Sequence, residues 1–161
     1  MTRILGPGKL LVVFALFALA FVALLAVGCG GDDGEKDSGE PAAELFVDPA
    51  APVVDVSLKE FSIALSQDEG KAGSITFAAK NTGVEIHEMV LVKTDVAADK
   101  LVATNGKVDE EAVGELVGEI EDLESGHTAA TTFDLAPGNY VFLCNIAGHY
   151  ELGMHTGFTV E

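Results

Sequence analysis

Hydrophobic and polar residues alternate with a period of two over much of the chain after residue 52, as in half-buried β-strands. The first such run covers residues 54–65, where the alternation slips at Glu60, and we interpret it as one strand with a bulge. Further strands are predicted, with turn residues between them, at 74–80, 88–94, 128–133, 140–144 and 157–160. This series of short strands predicts an all-β sandwich or barrel, with the apolar run 88–94 at its centre.

The segment 95–124 departs from this pattern. Apolar residues within 108–122 have a partly helical spacing, which Gly114 and Gly118 interrupt. We therefore expect a short helical insertion between two strands, with a return to strand near residues 117–120. The acidic residues of this segment are most simply a solvated face, and a docking surface for a basic partner is the alternative.

The beginning of the chain has the parts of a secretory signal. Arg3 and Lys9 precede an uncharged apolar run over residues 10–27, and Cys29 follows a small residue directly. This arrangement resembles the bacterial lipoprotein signal, in which the cysteine is acylated and becomes the mature N-terminus. We predict a signal peptide over 1–28, a lipid on Cys29 and an extracytoplasmic location at the cell membrane. An uncleaved anchor is the alternative, because the 18 residues of the apolar run just span a bilayer.

Residues 29–52 are rich in charge and proline, and we interpret them as the lipidated cysteine followed by a disordered acidic linker. The remaining residues, 53–161, suffice for one domain with a modest core. The whole chain of 161 residues has 26 acidic and 9 basic side chains, a net charge of −17. This charge excludes a nucleic-acid binder, which needs a basic patch to neutralise phosphates.

The chain has two cysteines, and a lipid on Cys29 would leave Cys144 without a disulfide partner. Cys144, His149 and Met154 form the pattern Cys-x4-His-x4-Met, in which two glycines let the chain fold back. Thiolate, imidazole and thioether are a soft ligand set that suits copper. Each residue alone would be ordinary: a buried inert thiol, a surface histidine and a core methionine. Their joint spacing after a Pro-Gly turn predicts a copper site.

A further ligand should come from a distant strand, and His87 lies where a turn enters the central strand. We expect its ring to reach the C-terminal loop. His127 and His155 are interpreted as ordinary solvated residues, because a side chain beside Met154 on an extended strand points to the opposite side.

Because of these four residues and their spacing, the segment 53–161 resembles the cupredoxins. Its loop spacing is most similar to the rusticyanin, sulfocyanin and plastocyanin-like branch. The resemblance implies a Greek-key β-sandwich that holds one type 1 copper ion. It also implies three equatorial ligands, His87, Cys144 and His149, and one axial ligand, Met154. Many cupredoxins have Asn or Ser after the first histidine, hydrogen-bonded near the cysteine sulfur. Here the residue is Glu88, so the family's reduction potential does not transfer.

We therefore expect a membrane-tethered mononuclear type 1 copper protein that carries single electrons, without enzymatic activity. The expected partners are redox proteins of the cytochrome or oxidase type, with the membrane contacted through the lipid and the chain itself monomeric. His149 is the expected exit for electrons, within an apolar docking rim of Ile146, Ala147 and Leu152. A copper-binding or delivery lipoprotein would use the same ligands without electron transfer, and a structural lipoprotein with an empty site is a third possibility.

Overall fold

The structure is a computed structural model that describes residues 45–161. The predicted signal peptide over 1–28, the predicted lipid on Cys29 and most of the predicted linker 29–52 lie outside the described residues. Within the described part of the chain, no helix has the length and apolar character needed to cross a bilayer.

The strands form an all-β sandwich of Greek-key type around one main core. In chain order the elements are β1 (Val53–Lys59), β2 (Ser62–Leu65), β3 (Glu69–Gly70), β4 (Gly73–Asn81), β5 (His87–Lys93), a 3-10 helix (Ala98–Lys100), β6 (Ala103–Thr104), β7 (Lys107–Val108), α1 (Glu110–Val113), β8 (Glu115–Leu123), β9 (Thr128–Leu135), β10 (Gly138–Leu143) and β11 (His155–Val160). One sheet has the order β2-β1-β4-β9 and the other the order β3-β11-β10-β5-β8, while β6 and β7 pair separately.

The predicted bulged strand over 54–65 is wrong, because the chain reverses there. β1 and β2 pair antiparallel, with Lys59 opposite Ser62 and Val56 opposite Leu65. Glu60 and Phe61 form the turn between them. A slip in alternation is common to bulges and tight turns, and neither turn residue is one of those typical of turns. The pattern alone therefore favoured the continuous strand.

The other strand predictions are confirmed, and the 88–94 run is central as expected. β5 lies between β10 and β8, and the side chains on both of its faces are buried over most of its length. The helical insertion is one short helix, α1, whose first turn Asp109 caps by accepting the Ala112 N–H. Strand β8 begins directly after it and is longer than the predicted 117–120.

The segment between β5 and β8 has a structural role that its composition did not indicate. Leu101 and Val108 pack on the outer face of β5 and β10, together with Tyr150, in a second apolar cluster. The Tyr150 hydroxyl accepts the Leu101 N–H at 2.9 Å and donates to the Ala98 carbonyl at 2.8 Å. This segment therefore covers the back of the sheet that leads to the predicted copper loop.

Ordered contacts begin before residue 53. The Thr132 N–H donates to the Phe46 carbonyl at 2.7 Å, and the Asp48 N–H donates to the Thr132 hydroxyl at 2.8 Å. The stretch that enters β1 is thus attached to β9 of the four-stranded sheet.

Candidate metal centre

Three of the four predicted ligands meet at one end of the sandwich. His87 is the first residue of β5, Cys144 follows the last residue of β10, and His149 lies in the loop 144–154 that joins β10 to β11. All three are buried, His149 least, with 7% of its surface exposed. The strand ends therefore place donors that are distant in sequence at one point between the two sheets.

The two imidazoles turn the same nitrogen toward the sulfur. The Nδ1 atom of His149 lies 3.4 Å from Cys144 Sγ, and that of His87 lies 4.0 Å from it. One ligand atom from each of the three residues falls within 4.8 Å of the others. One thiolate and two imidazoles at this separation fit a copper ion and match the donor set of a blue-copper centre.

The loop 144–154 folds back in the way its spacing predicts. Gly148 and Gly153 have φ values of +89° and +114°, which side chains disfavour. The Cys144 N–H donates to the Met154 carbonyl and the Met154 N–H donates to the His149 carbonyl, both at 3.1 Å. Met154 is fully buried in the same core cluster as Cys144. Its backbone is therefore held beside both loop ligands.

Burial shifts the pKa of two of the candidate ligands, Cys144 and His87. Burial raises the pKa of the Cys144 thiol. The backbone N–H groups of Glu88 and Ile146 oppose this rise, because they donate to the sulfur. Burial also lowers the pKa of His87, against the attraction of Glu60. A neutral His87 imidazole is ready to ligate, whereas the Cys144 thiol must lose its proton when a metal binds.

The departure from the family pattern at Glu88 is compensated by the backbone. Its N–H lies 3.5 Å from Cys144 Sγ, so a donor reaches the sulfur without an Asn or Ser side chain at this position. Burial raises the pKa of the Glu88 carboxyl, and the charge of Lys107 opposes this rise.

Two carboxylates that the sequence did not reveal face the outer nitrogens of the ligand histidines. Glu60 Oε1 lies 3.3 Å from His87 Nε2, and Glu85 Oε2 lies 3.3 Å from His149 Nε2. Hydrogen bonds from the Glu85 and Val84 backbone N–H groups lower the pKa of Glu60 to about 2. The neighbouring Phe61 ring packs edge-on against His149, with ring centroids 5.2 Å apart. The one feature of the sequence that marked this region was the slip at Glu60 in the alternation of hydrophobic and polar residues.

The remaining histidines lie outside the cluster. His127 is exposed, with its Nδ1 3.8 Å from Glu124 Oε2. His155 is only half-buried, and its ring packs on Tyr150 with centroids 4.9 Å apart. His155 is therefore only partly solvated, because Tyr150 covers one side of its ring.

The segment between β5 and β8 holds the ligand loop from the outside. Asn145, next to Cys144, accepts the Val108 N–H at 2.7 Å and donates to the Val108 carbonyl at 2.9 Å. Its amide also donates to Glu110 Oε1 at 2.6 Å. The Gly148 N–H donates to the Gly106 carbonyl at 2.8 Å. These bonds fix the loop on the side opposite to the turn at Glu60.

Comparisons with known proteins agree with this geometry. Residues 70–161, more than half of the chain, match the family described as the sulfocyanin (SoxE) domain. Auracyanin from the photosynthetic bacterium Roseiflexus castenholzii is similar in structure, with a TM-score of 0.51 and 26% identity over 70% of this chain and 98% of auracyanin. No curated protein matches the chain significantly.

Two further solved structures share the fold. Auracyanin B superimposes with a TM-score of 0.53 and 22% identity, over 74% of this chain and 95% of its own. Rusticyanin from Thiobacillus ferrooxidans gives 0.50 and 17%, over 68% of this chain and 76% of its own. The family match, together with the convergence of their ligand atoms, identifies the cluster of His87, Cys144 and His149 as a type 1 copper site.

Replacing Asn145 with Ala is expected to lower the free energy of unfolding by about 1–3 kcal/mol, because it leaves buried polar groups of Val108 without partners. Urea denaturation of the metal-free protein measures the change. The control is Asn139→Ala, whose amide makes an exposed bond to Asp95 and whose loss should cost less than about 0.5 kcal/mol. Equal losses in the two variants would contradict the anchoring role of Asn145.

Proposed function

Because the chain belongs to the sulfocyanin family of cupredoxins, we propose that it carries single electrons between redox proteins outside the cytoplasm. The observation that carries this proposal is the convergence of one thiol and two imidazoles at a buried point. Such a set binds copper in both of its oxidation states. We propose a carrier rather than an enzyme, since the three donors are shielded from solvent.

His87, Cys144 and His149 would hold the copper ion, and we assign Met154 as its axial ligand. Bound copper would supply one-electron redox chemistry at this place. The Met154 assignment is supported by its complete burial and by the backbone bonds that tie it to Cys144 and His149. A weak axial thioether is also the usual partner of a His2Cys set.

The surrounding chain keeps the donors in place and excludes water. Asn145 anchors the ligand loop to Val108, while Phe61 packs against the His149 ring from the other side. Donors held by these contacts need little movement when the charge of the site changes. Little movement favours rapid electron exchange over release of the ion.

His149 is the proposed exit for electrons, because it is the ligand nearest the surface. Val84, Ile86 and Leu152 expose 84%, 47% and 60% of their surfaces on the two segments that carry Glu85 and His149. Of the expected docking rim, Ala147 and Leu152 are exposed, whereas Ile146 is half-buried and packs against the core. An apolar surface of this kind suits a transient redox partner of the cytochrome or oxidase type, bound by a monomer of this chain.

We also propose that a lipid on Cys29 tethers the domain to the extracytoplasmic face of the cell membrane. The apolar run before Cys29 and the acidic stretch after it support this proposal. Stable anchoring takes two acyl chains, which a lipoprotein cysteine carries. A linker of about 20 residues would keep the domain near membrane redox proteins and raise its effective concentration there.

Electron transfer and copper delivery predict different exchange behaviour. In a mixture of reduced and oxidised protein, fast self-exchange should broaden the NMR signals of the ligand-loop residues in proportion to protein concentration. Bound copper should stay with the protein when a stoichiometric copper(I) chelator is added. Rapid loss of copper to the chelator, with line widths that do not change with protein concentration, would contradict the carrier proposal and support delivery.

Replacing Met154 with Leu should leave the intense colour of the site and raise its reduction potential. The three strong donors remain, while the weak donor that stabilises copper(II) is lost, favouring copper(I) by about tenfold, or about 59 mV for one electron. Met89→Leu is the control, since Met89 is equally buried in the same core cluster. Loss of copper binding, or the same potential in both variants, would count against an axial role.

Replacing Cys29 with Ser should move the protein from the membrane fraction to the soluble fraction of cells that process bacterial lipoproteins. The acyl chains attach through the cysteine sulfur, which serine lacks. Fractionation followed by immunoblotting measures the distribution. A variant that stays in the membrane after a carbonate wash would contradict lipid tethering and favour the uncleaved anchor.

A further inference from the structure

Glu60 lies beside the copper site and bonds to the backbone of the segment that precedes His87. Its Oε1 atom accepts the backbone N–H groups of Val84 at 2.6 Å and Glu85 at 2.7 Å. A Cβ atom at Gly83 would overlap this same oxygen, so the absence of a side chain there makes room for the carboxylate. From its place in the turn between β1 and β2, Glu60 thus holds the segment that leads into His87.

The Oε1 atom of Glu60 also faces the Nε2 atom of His87, which has no hydrogen-bond partner. Among the described residues, His87 Nε2 is the buried side-chain nitrogen or oxygen atom without a hydrogen bond. It lies 3.3 Å from Glu60 Oε1, within ion-pair distance of that carboxylate. The opposite nitrogen of the ring, Nδ1, faces Cys144 Sγ. A metal on Nδ1 fixes the remaining ring proton on Nε2, which then requires an acceptor.

We propose that Glu60 is a positioning residue of the copper site, whose carboxylate accepts a hydrogen bond from the Nε2–H of His87 and thereby orients Nδ1 toward the metal. This inference rests on the proposed copper function. A carboxylate behind a ligand imidazole makes the imidazole a stronger donor and places negative charge near the ion. Both effects stabilise copper(II) over copper(I), so Glu60 lowers the reduction potential of the centre.

Glu85 provides an internal comparison. Its carboxylate lies at the same distance, 3.3 Å, from the outer nitrogen of the other ligand histidine, His149. The Glu85 side chain is 55% exposed, whereas that of Glu60 is 18% exposed. Solvent and salt screen an exposed charge far more than a covered one. The effect of Glu60 should therefore exceed that of Glu85.

The test compares three isosteric substitutions in the copper-loaded protein: Glu60→Gln, Glu85→Gln and, as a control, Glu151→Gln. Glu151 is an exposed residue of the ligand loop, and in the described part of the chain the ion pairs of histidines involve Glu60, Glu85 and Glu124 instead. Glu60→Gln should shift the preference for copper(I) over copper(II) by about tenfold, a rise in potential of about 59 mV. Glu85→Gln should shift it by less than about threefold, and Glu151→Gln should leave it unchanged. A Glu60→Gln potential equal to that of Glu151→Gln would overturn the proposal.

A second measurement separates this proposal from the copper function itself. Nitrogen-15 NMR of the metal-free protein reports which ring nitrogen of His87 carries the proton. The Nε2–H tautomer should dominate in the wild type and in Glu151→Gln, and Glu60→Ala should mix the two tautomers. Identical tautomers in all three proteins would overturn the positioning role. A wild-type protein without a type 1 copper spectrum but with this tautomer pattern would instead contradict the proposed function alone.

Discussion

The site depends on keeping the Cys144 thiol buried while two histidines approach its sulfur. Burial alone favours a protonated, inert thiol, as the raised pKa of Cys144 indicates. The nearby Nδ1 atoms of His87 and His149 make this position suitable for a metal that displaces the proton. The strand ends of β5 and β10 set this approach, so the sandwich acts as the frame of the metal centre.

The frame is reinforced from two sides, and each side uses a part of the chain without ligands. The turn at Glu60 and Phe61 contacts both ligand histidines, one through a carboxylate and the other through an aromatic ring. On the opposite side, Val108 bonds to the Asn145 amide beside the cysteine. Constraint from both sides explains how the three donors converge, and it suits a site whose charge changes with little movement.

The parts of this arrangement that are local in sequence were predictable. The spacing of Cys144, His149 and Met154 describes a single loop, and turn context placed His87 at the start of a central strand. The strand alternation likewise predicted most of both sheets. Fold class and candidate ligands therefore followed from short-range patterns.

The supporting contacts were not predictable, because they join residues far apart in the chain. The slip at Glu60 fitted a bulge as well as a turn, and nothing near it indicates that His87 lies 3.3 Å away. Likewise, the acidic composition of 95–124 suggests a solvated face and gives no indication that Leu101 and Val108 pack in an apolar cluster. Side chains that support a ligand carry no spacing signature of their own, unlike the ligands.

The central claim is that His87, Cys144 and His149 bind one copper ion as a type 1 centre. The most direct test is the visible and electron paramagnetic resonance spectrum of the protein after addition of one equivalent of copper(II). The account predicts an intense red-absorbing band from thiolate-to-copper charge transfer, together with narrow copper hyperfine splitting. A pale protein with ordinary copper(II) splitting would contradict it, because the three donors would then not bind the same ion.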